Sequence, residues 1–139
     1  MKNYFYLNLI KINIMKIIKF IISLLFGLMF INAGLNKFLN YMPMEKPTPE
    51  QMELFTAFEK IFWLMPLVGA VEIIGGLLFI FPKTRALGAI VILPVMVGIV
   101  VHVFTMDKST MGMSIAGILF LINIWMIIDN KDKYKALVK

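Results

Sequence analysis

Apolar residues gather into four runs along the chain, at about 17–35, 63–81, 86–104 and 111–128. Each is close to the ~20 residues with which an α-helix crosses a ~30 Å hydrocarbon core. The turn Pro82-Lys83-Thr84-Arg85 and the loop Thr105 to Thr110 are short, so the runs they join must be antiparallel neighbours. Residues 38–62 form the only long connection, and Pro43, Pro47 and Pro49 make its first half irregular. Its second half opens with Thr48-Pro49-Glu50-Gln51, a capping residue, a proline at the first helical position and a glutamine placed to close a capping box. Met52, Phe55, Phe58 and Phe62 then recur at helical spacing opposite Glu53, Thr56 and Lys60. The predicted fold is all-α: an integral membrane four-helix bundle, with a short amphipathic interfacial helix between spans one and two that could act as a lid.

The ends are of a different kind. Residues 1–16 mix Tyr4, Phe5, Tyr6, Leu9, Ile10 and Ile12 with Lys2, Lys11 and Lys16, which describes either a short helix on the membrane surface or an upstream extension before Met15. Lys16 and Lys19 precede the first apolar run as in a signal peptide, but no A-x-A-like cleavage site follows, so the run reads as a retained span. Three stretches result: a basic aromatic leader (1–16), a membrane domain (17–128) and a polar, mostly basic tail (129–139).

Composition supports this class. Hydrophobic residues make up 60% of the 139 residues and charged ones 16%, with a mean hydropathy of +0.88, too apolar for an ordinary soluble domain. The net charge of +6 does not indicate a nucleic-acid reader, because the basic residues flank apolar runs instead of sharing one surface. With no cysteine, the chain can hold no disulfide, thiolate metal site or thiol relay of its own. Its 12 methionines read as pliable apolar filler. Lys2, Lys11, Lys16, Lys19, Lys83, Arg85, Lys131, Lys133, Lys135 and Lys139 fall on one side of four spans, against Lys37, Lys46, Lys60 and Lys108 on the other. The positive-inside rule then places both termini in the cytoplasm of a bacterial inner membrane protein.

Polar residues inside the runs are the candidate chemistry. Glu72 lies nine residues from either end of the second run, roughly 13 Å from each boundary. Gly69 and Gly76 share its helical face, so another helix can approach there and Glu72 should face protein. Asn32 and Asn36 lie one turn apart before Lys37, whose stem could carry its charge outward to the headgroups or whose ammonium could form a salt bridge. Pro94, Gly98 and His102 share a face of the third run, where the proline could bend the helix and open room for a ligand. Gly112, Ala116 and Asn123 form a small-residue stripe on the fourth, ending in an amide.

Ordered by depth, Lys37, Asn36 and His102 lie near one interface, Asn32 deeper and Glu72 at the middle, so the five could line one cavity. A protonated Glu72 there could take a proton from outside or hydrogen-bond the carbonyl of a lipid-soluble head group such as a quinone. The plainer alternative is an interhelical hydrogen bond between Glu72 and an asparagine. A single histidine and one membrane carboxylate cannot complete a metal site. No phosphate loop, nucleophile elbow, dinucleotide fingerprint or zinc-protease motif is present to argue for an enzyme.

The segments Phe26 to Phe38 (FGLMFINAGLNKF) and Gly69 to Leu78 (GAVEIIGGLL), followed by Thr84-Arg85-Ala86 and a late His102, resemble the DoxX family of small four-span bacterial inner-membrane proteins across about residues 17–128. The resemblance implies a four-helix membrane bundle. Through the related DoxD subunit of thiosulfate:quinone oxidoreductase, it also implies a link to quinone or sulfur redox metabolism. By matching positions it adds Gly34, Lys37, Glu72, Gly76, Arg85 and His102 to the candidates. Three functions follow as expectations: an accessory or quinone-interacting subunit of a membrane redox system, a small proton-coupled transporter acting as a homo-oligomer, and a membrane scaffold without a ligand. The expected surroundings are the lipid bilayer and a redox-enzyme partner or further copies of the chain.

Overall fold

The computed structural model describes residues 1–44 and 46–138; Lys139, counted above among the tail lysines, lies outside them. Its elements are α1 (Lys2–Leu39), α2 (Pro49–Lys60), α3 (Leu64–Ile80), α4 (Arg85–His102), a π-helical turn (Val103–Asp107), α5 (Thr110–Asp129) and α6 (Lys131–Lys135). Among the described residues, three helices are long and apolar enough to cross a membrane: α1, α4 with its π turn, and α5. The count reaches four if α2 and α3, which meet at an 89° bend, are taken as one broken span.

The N-terminal leader is part of the first helix. Nothing in residues 1–26 breaks a helix, since neither glycine nor proline occurs before Gly27, and isoleucine, leucine, lysine and methionine all sustain one. The helix therefore runs unbroken to Leu39, and Asn40 closes it in a left-handed conformation (φ 49°) with its N–H on the Asn36 carbonyl.

α2 begins as its sequence predicts. The Thr48 hydroxyl accepts from Gln51 N–H at 3.3 Å, and the Gln51 side chain accepts from Thr48 N–H at 3.0 Å. It then meets α3 at that near-perpendicular bend.

α1 packs on α3, α3 on α4 and α4 on α5. The first contact is the most extensive, and glycines meet across it. A Cβ built on Gly27 would stand 2.5 Å from the Gly76 carbonyl oxygen, and one on Gly34 2.6 Å from the Gly69 carbonyl oxygen. Two glycine pairs, each seven residues apart along its helix, thus set the antiparallel register by backbone contact, as small residues do between membrane helices. The core beside them stacks Phe26 on Phe79, with ring centroids 4.2 Å apart, and continues through Phe30, Ile92, Met96 and Met126. At the end that carries both termini, Lys19 meets Asp129 at 2.6 Å and ties α1 to α5.

Candidate functional site

The site with the most unusual chemistry is an ion pair across the α1–α3 seam. Lys37 Nζ lies 2.6 Å from Glu72 Oε2, and the carboxylate side chain is only 3% exposed. Glu72 is half-way along α3, whereas Lys37 is in the last turn of α1. The glycines let the two meet. A Cβ on Gly69 would lie 3.2 Å from Lys37 Cβ, so the lysine stem passes over α3 where no side chain blocks it. One turn further along, Glu72 Cβ rests where a Cβ on Gly34 would come within 3.1 Å. Of the two roles open to Lys37, headgroup anchor and salt bridge, the side chain occupies the second.

The expected cavity does not assemble around this pair. Asn32 and Asn36 hold the chain that leaves α1: Tyr41 Oη donates to the Asn32 carbonyl at 3.1 Å and to its side-chain oxygen, and Asn36 Oδ1 accepts from Met42 N–H at 2.8 Å. Pro94 and Gly98 share a face with His102 as predicted, but both are exposed on the outside of α4, and a Cβ on Gly98 would meet nothing within 4 Å. The room beside the proline therefore opens away from Glu72. Contacts of Gly75 with Ile92 and of Gly88 with Phe79 place Glu72 opposite Val95. His102 is then about 10 Å further along α4. It is half-buried and makes no side-chain hydrogen bond among the described residues.

Arg85 and Asn123, like the seam glycines, make contacts between or at the ends of helices. Arg85 is buried at the start of α4, where Nε and Nη2 donate to the carbonyls of Phe79 (3.2 Å) and Ile80 (3.1 Å), so a cation closes the C-terminus of α3. Asn123 Nδ2 donates to the Ala89 carbonyl at 3.2 Å, joining α5 to α4. Its Oδ1 and the buried Ser23 Oγ have no partner among the described residues. Sequence reasoning passed over Ser23, although a lone hydroxyl amid Phe20 to Phe26 was a visible signal. It also passed over Gly27 as a packing residue, although Gly27 and Gly34 repeat the seven-residue spacing of Gly69 and Gly76. Among the described residues no three His, Asp or Glu side chains converge as metal ligands would.

In comparison with known families, the profile described as methylamine utilisation protein MauE matches residues 15–112, well over half of the chain. The chain belongs to the MauE family. That match overturns the expected membership of the DoxX family, and with it the inferred relation to the DoxD subunit. The reason lies in the residues that carried the resemblance. Small residues are enriched wherever membrane helices pack closely, so glycines spaced around a polar residue report a packing mode and not a family. The MauE match takes in α1 from Met15, then α2, α3, α4 and the start of α5. It contains Lys37, Glu72, Arg85 and His102, while Asn123 lies beyond it. No curated protein and no solved structure matches the chain. The family and the apolar helices together make this a multi-pass membrane protein.

Proposed function

We propose that this MauE-family chain is an accessory, non-catalytic membrane subunit of a redox system, of the amine-utilising kind that the family description names. The observation that carries this reading is the use of the polar groups within the helices. Glu72 pairs with Lys37, Arg85 caps α3 and Asn123 bonds α4, so each joins one helix to the next or closes an end. A bundle locked in this way suits a rigid platform in the membrane. The excess of lysine and arginine on the side of the termini supports a cytoplasmic location for both ends in a bacterial inner membrane.

Deleting the gene in its host and measuring amine-dependent oxygen uptake by isolated membranes tests the proposal. Uptake should fall on deletion and return with the wild type and with the double variant Lys37→Met/Glu72→Leu, which keeps the seam apolar and packed. Unchanged uptake after deletion would sink the reading. A double variant that folds but fails to restore uptake would transfer the ion pair from architecture to chemistry.

One observation favours a quinone-interacting subunit as the second reading. Among the described residues His102 has no hydrogen-bond partner, and it stands at the end of an exposed strip whose middle, Gly98, leaves a flat surface. A quinone ring could lie on that strip with a carbonyl toward the imidazole. Quinone titration of the protein in nanodiscs distinguishes the two: saturable binding lost in His102→Ala but kept in Glu72→Gln supports this strip as the contact, and no binding removes it.

A further inference from the structure

The face of α1 opposite its contact with α3 carries a second pattern. Leu7, Ile10, Ile14, Ile17, Ile21 and Leu24 follow one another at alternating intervals of three and four, the a/d spacing of a coiled coil, and Leu28 extends it by one place. The first five are between 49% and 61% exposed. Ser23, Phe26, Gly27, Phe30 and Gly34, by contrast, are the buried positions of the same helix. The aliphatic seam is thus distinct from the surface that builds the bundle, and it ends where Ile31 turns against Gly76 of α3.

Length decides what must cover it. A helix of 38 residues is about 57 Å long, nearly twice the hydrocarbon core. The stretch between Lys19 and Lys37 has no charged residue, and Lys19 marks the end of the bundle by its bond to Asp129. The turns before it, with Lys2, Lys11 and Lys16, therefore extend beyond the membrane core. Lipid can cover Ile21, Leu24 and Leu28 but not the continuous row of Leu7, Ile10 and Ile14. A helix with a matching seam can cover the whole.

We propose that α1 associates in parallel with α1 of further copies of this chain through this seam. All copies share one membrane orientation, so their α1 helices run the same way. No charged residue occupies an a or d position, and Asn3 falls in register as a polar position at the open end. Lys11, at a flanking e position, meets the g position five residues earlier in the next copy, which is Tyr6; it faces a ring and not another lysine. Isoleucine at both a and d favours three helices over two.

The absence of cysteine allows a direct test in the full chain. Single cysteines at Ile10, Ile14 and Ile17 should cross-link between chains on oxidation of isolated membranes, whereas Ile12→Cys, on the opposite face, should not. The protein in nanodiscs should have the mass of a dimer or trimer. Ile10→Asp/Ile14→Asp, which touches no bundle contact, should return it to a monomer of unchanged thermal stability. A monomeric wild type, equal cross-linking at Ile12 and Ile14, cross-links only to a different protein, or an aspartate variant that stays assembled would each overturn the proposal. A monomer in which spin labels at residues 10 and 14 report lipid contact would assign the seam to the membrane surface instead.

Discussion

Lys37 and Glu72 reach each other because the helices that carry them run in opposite directions. On an α-helix every Cα–Cβ bond leans toward the N-terminus. Lys37 in the last turn of α1 therefore leans back into the bundle, and Glu72 at the middle of α3 leans toward the end where α3 begins. The two side chains converge to 2.6 Å.

Removing Lys37 leaves the Glu72 carboxylate buried and uncompensated, which costs about 3–5 kcal/mol, whereas removing Glu72 leaves an ammonium that is 25% exposed and can still reach water, at a smaller cost. Lys37→Met should lower stability substantially, and Glu72→Gln by less, in chemical or thermal unfolding of nanodisc samples. Lys37→Met/Glu72→Leu should recover most of the loss. Additive losses in the double variant would mean that the groups do not act as a pair.

The glycine contacts make a prediction of opposite signs. Gly27→Ala and Gly76→Ala each drive a methyl into a carbonyl oxygen of the facing helix, a clash expected to cost about 1–3 kcal/mol. Together they should cost less than their sum, because separating the helices for one makes room for the other. Gly98→Ala has open space around it and should be neutral or stabilising by up to about 1 kcal/mol. Thermal unfolding of the four proteins checks this.

Asn123 gives one hydrogen bond and leaves Oδ1 without a partner among the described residues. Asn123→Leu, which exchanges both for apolar volume, should change stability by less than about 1.5 kcal/mol. Asn123→Asp either buries an unpaired charge or must stay protonated to donate to Ala89, so it should be the more destabilising of the two. If the leucine variant is the more damaged one in denaturant titration, the hydrogen bond to Ala89 matters more than the orphaned oxygen.

Tyr134, outside the spans, docks the tail by donating to the Ala86 carbonyl at 2.7 Å, and burial pushes its phenol above the usual tyrosine range. Docking favours the neutral form. Its contribution is complete below the ordinary tyrosine value near pH 10 and is lost as pH rises from there through the higher value of the docked state. Ultraviolet titration of tyrosinate should show one late-ionising tyrosine that disappears in Tyr134→Phe. A Tyr134→Phe profile identical to wild type would remove the effect.

Much of the bundle is legible in the amino-acid pattern. The apolar runs at 86–104 and 111–128 fall on the helices Arg85–His102 and Thr110–Asp129, because uninterrupted apolar runs bounded by charge have few other solutions. The capping box at Thr48 is readable for a similar reason, since its partners are three residues apart. The expected break between leader and first span is absent, because lysine interrupts hydropathy without interrupting a helix.

By itself, the sequence determined that this chain is helical, that it belongs in a membrane and which polar residues lie within the apolar runs; these are local properties of composition and spacing. Only the tertiary structure decided what those residues do. It brought Lys37 to Glu72 across 35 positions of sequence, turned the Pro94–Gly98 strip outward and left His102 apart. The helical period says which residues share a face, but the partner of that face depends on the register of one helix against another. Here the backbone contacts of Gly27 with Gly76 and of Gly34 with Gly69 set that register.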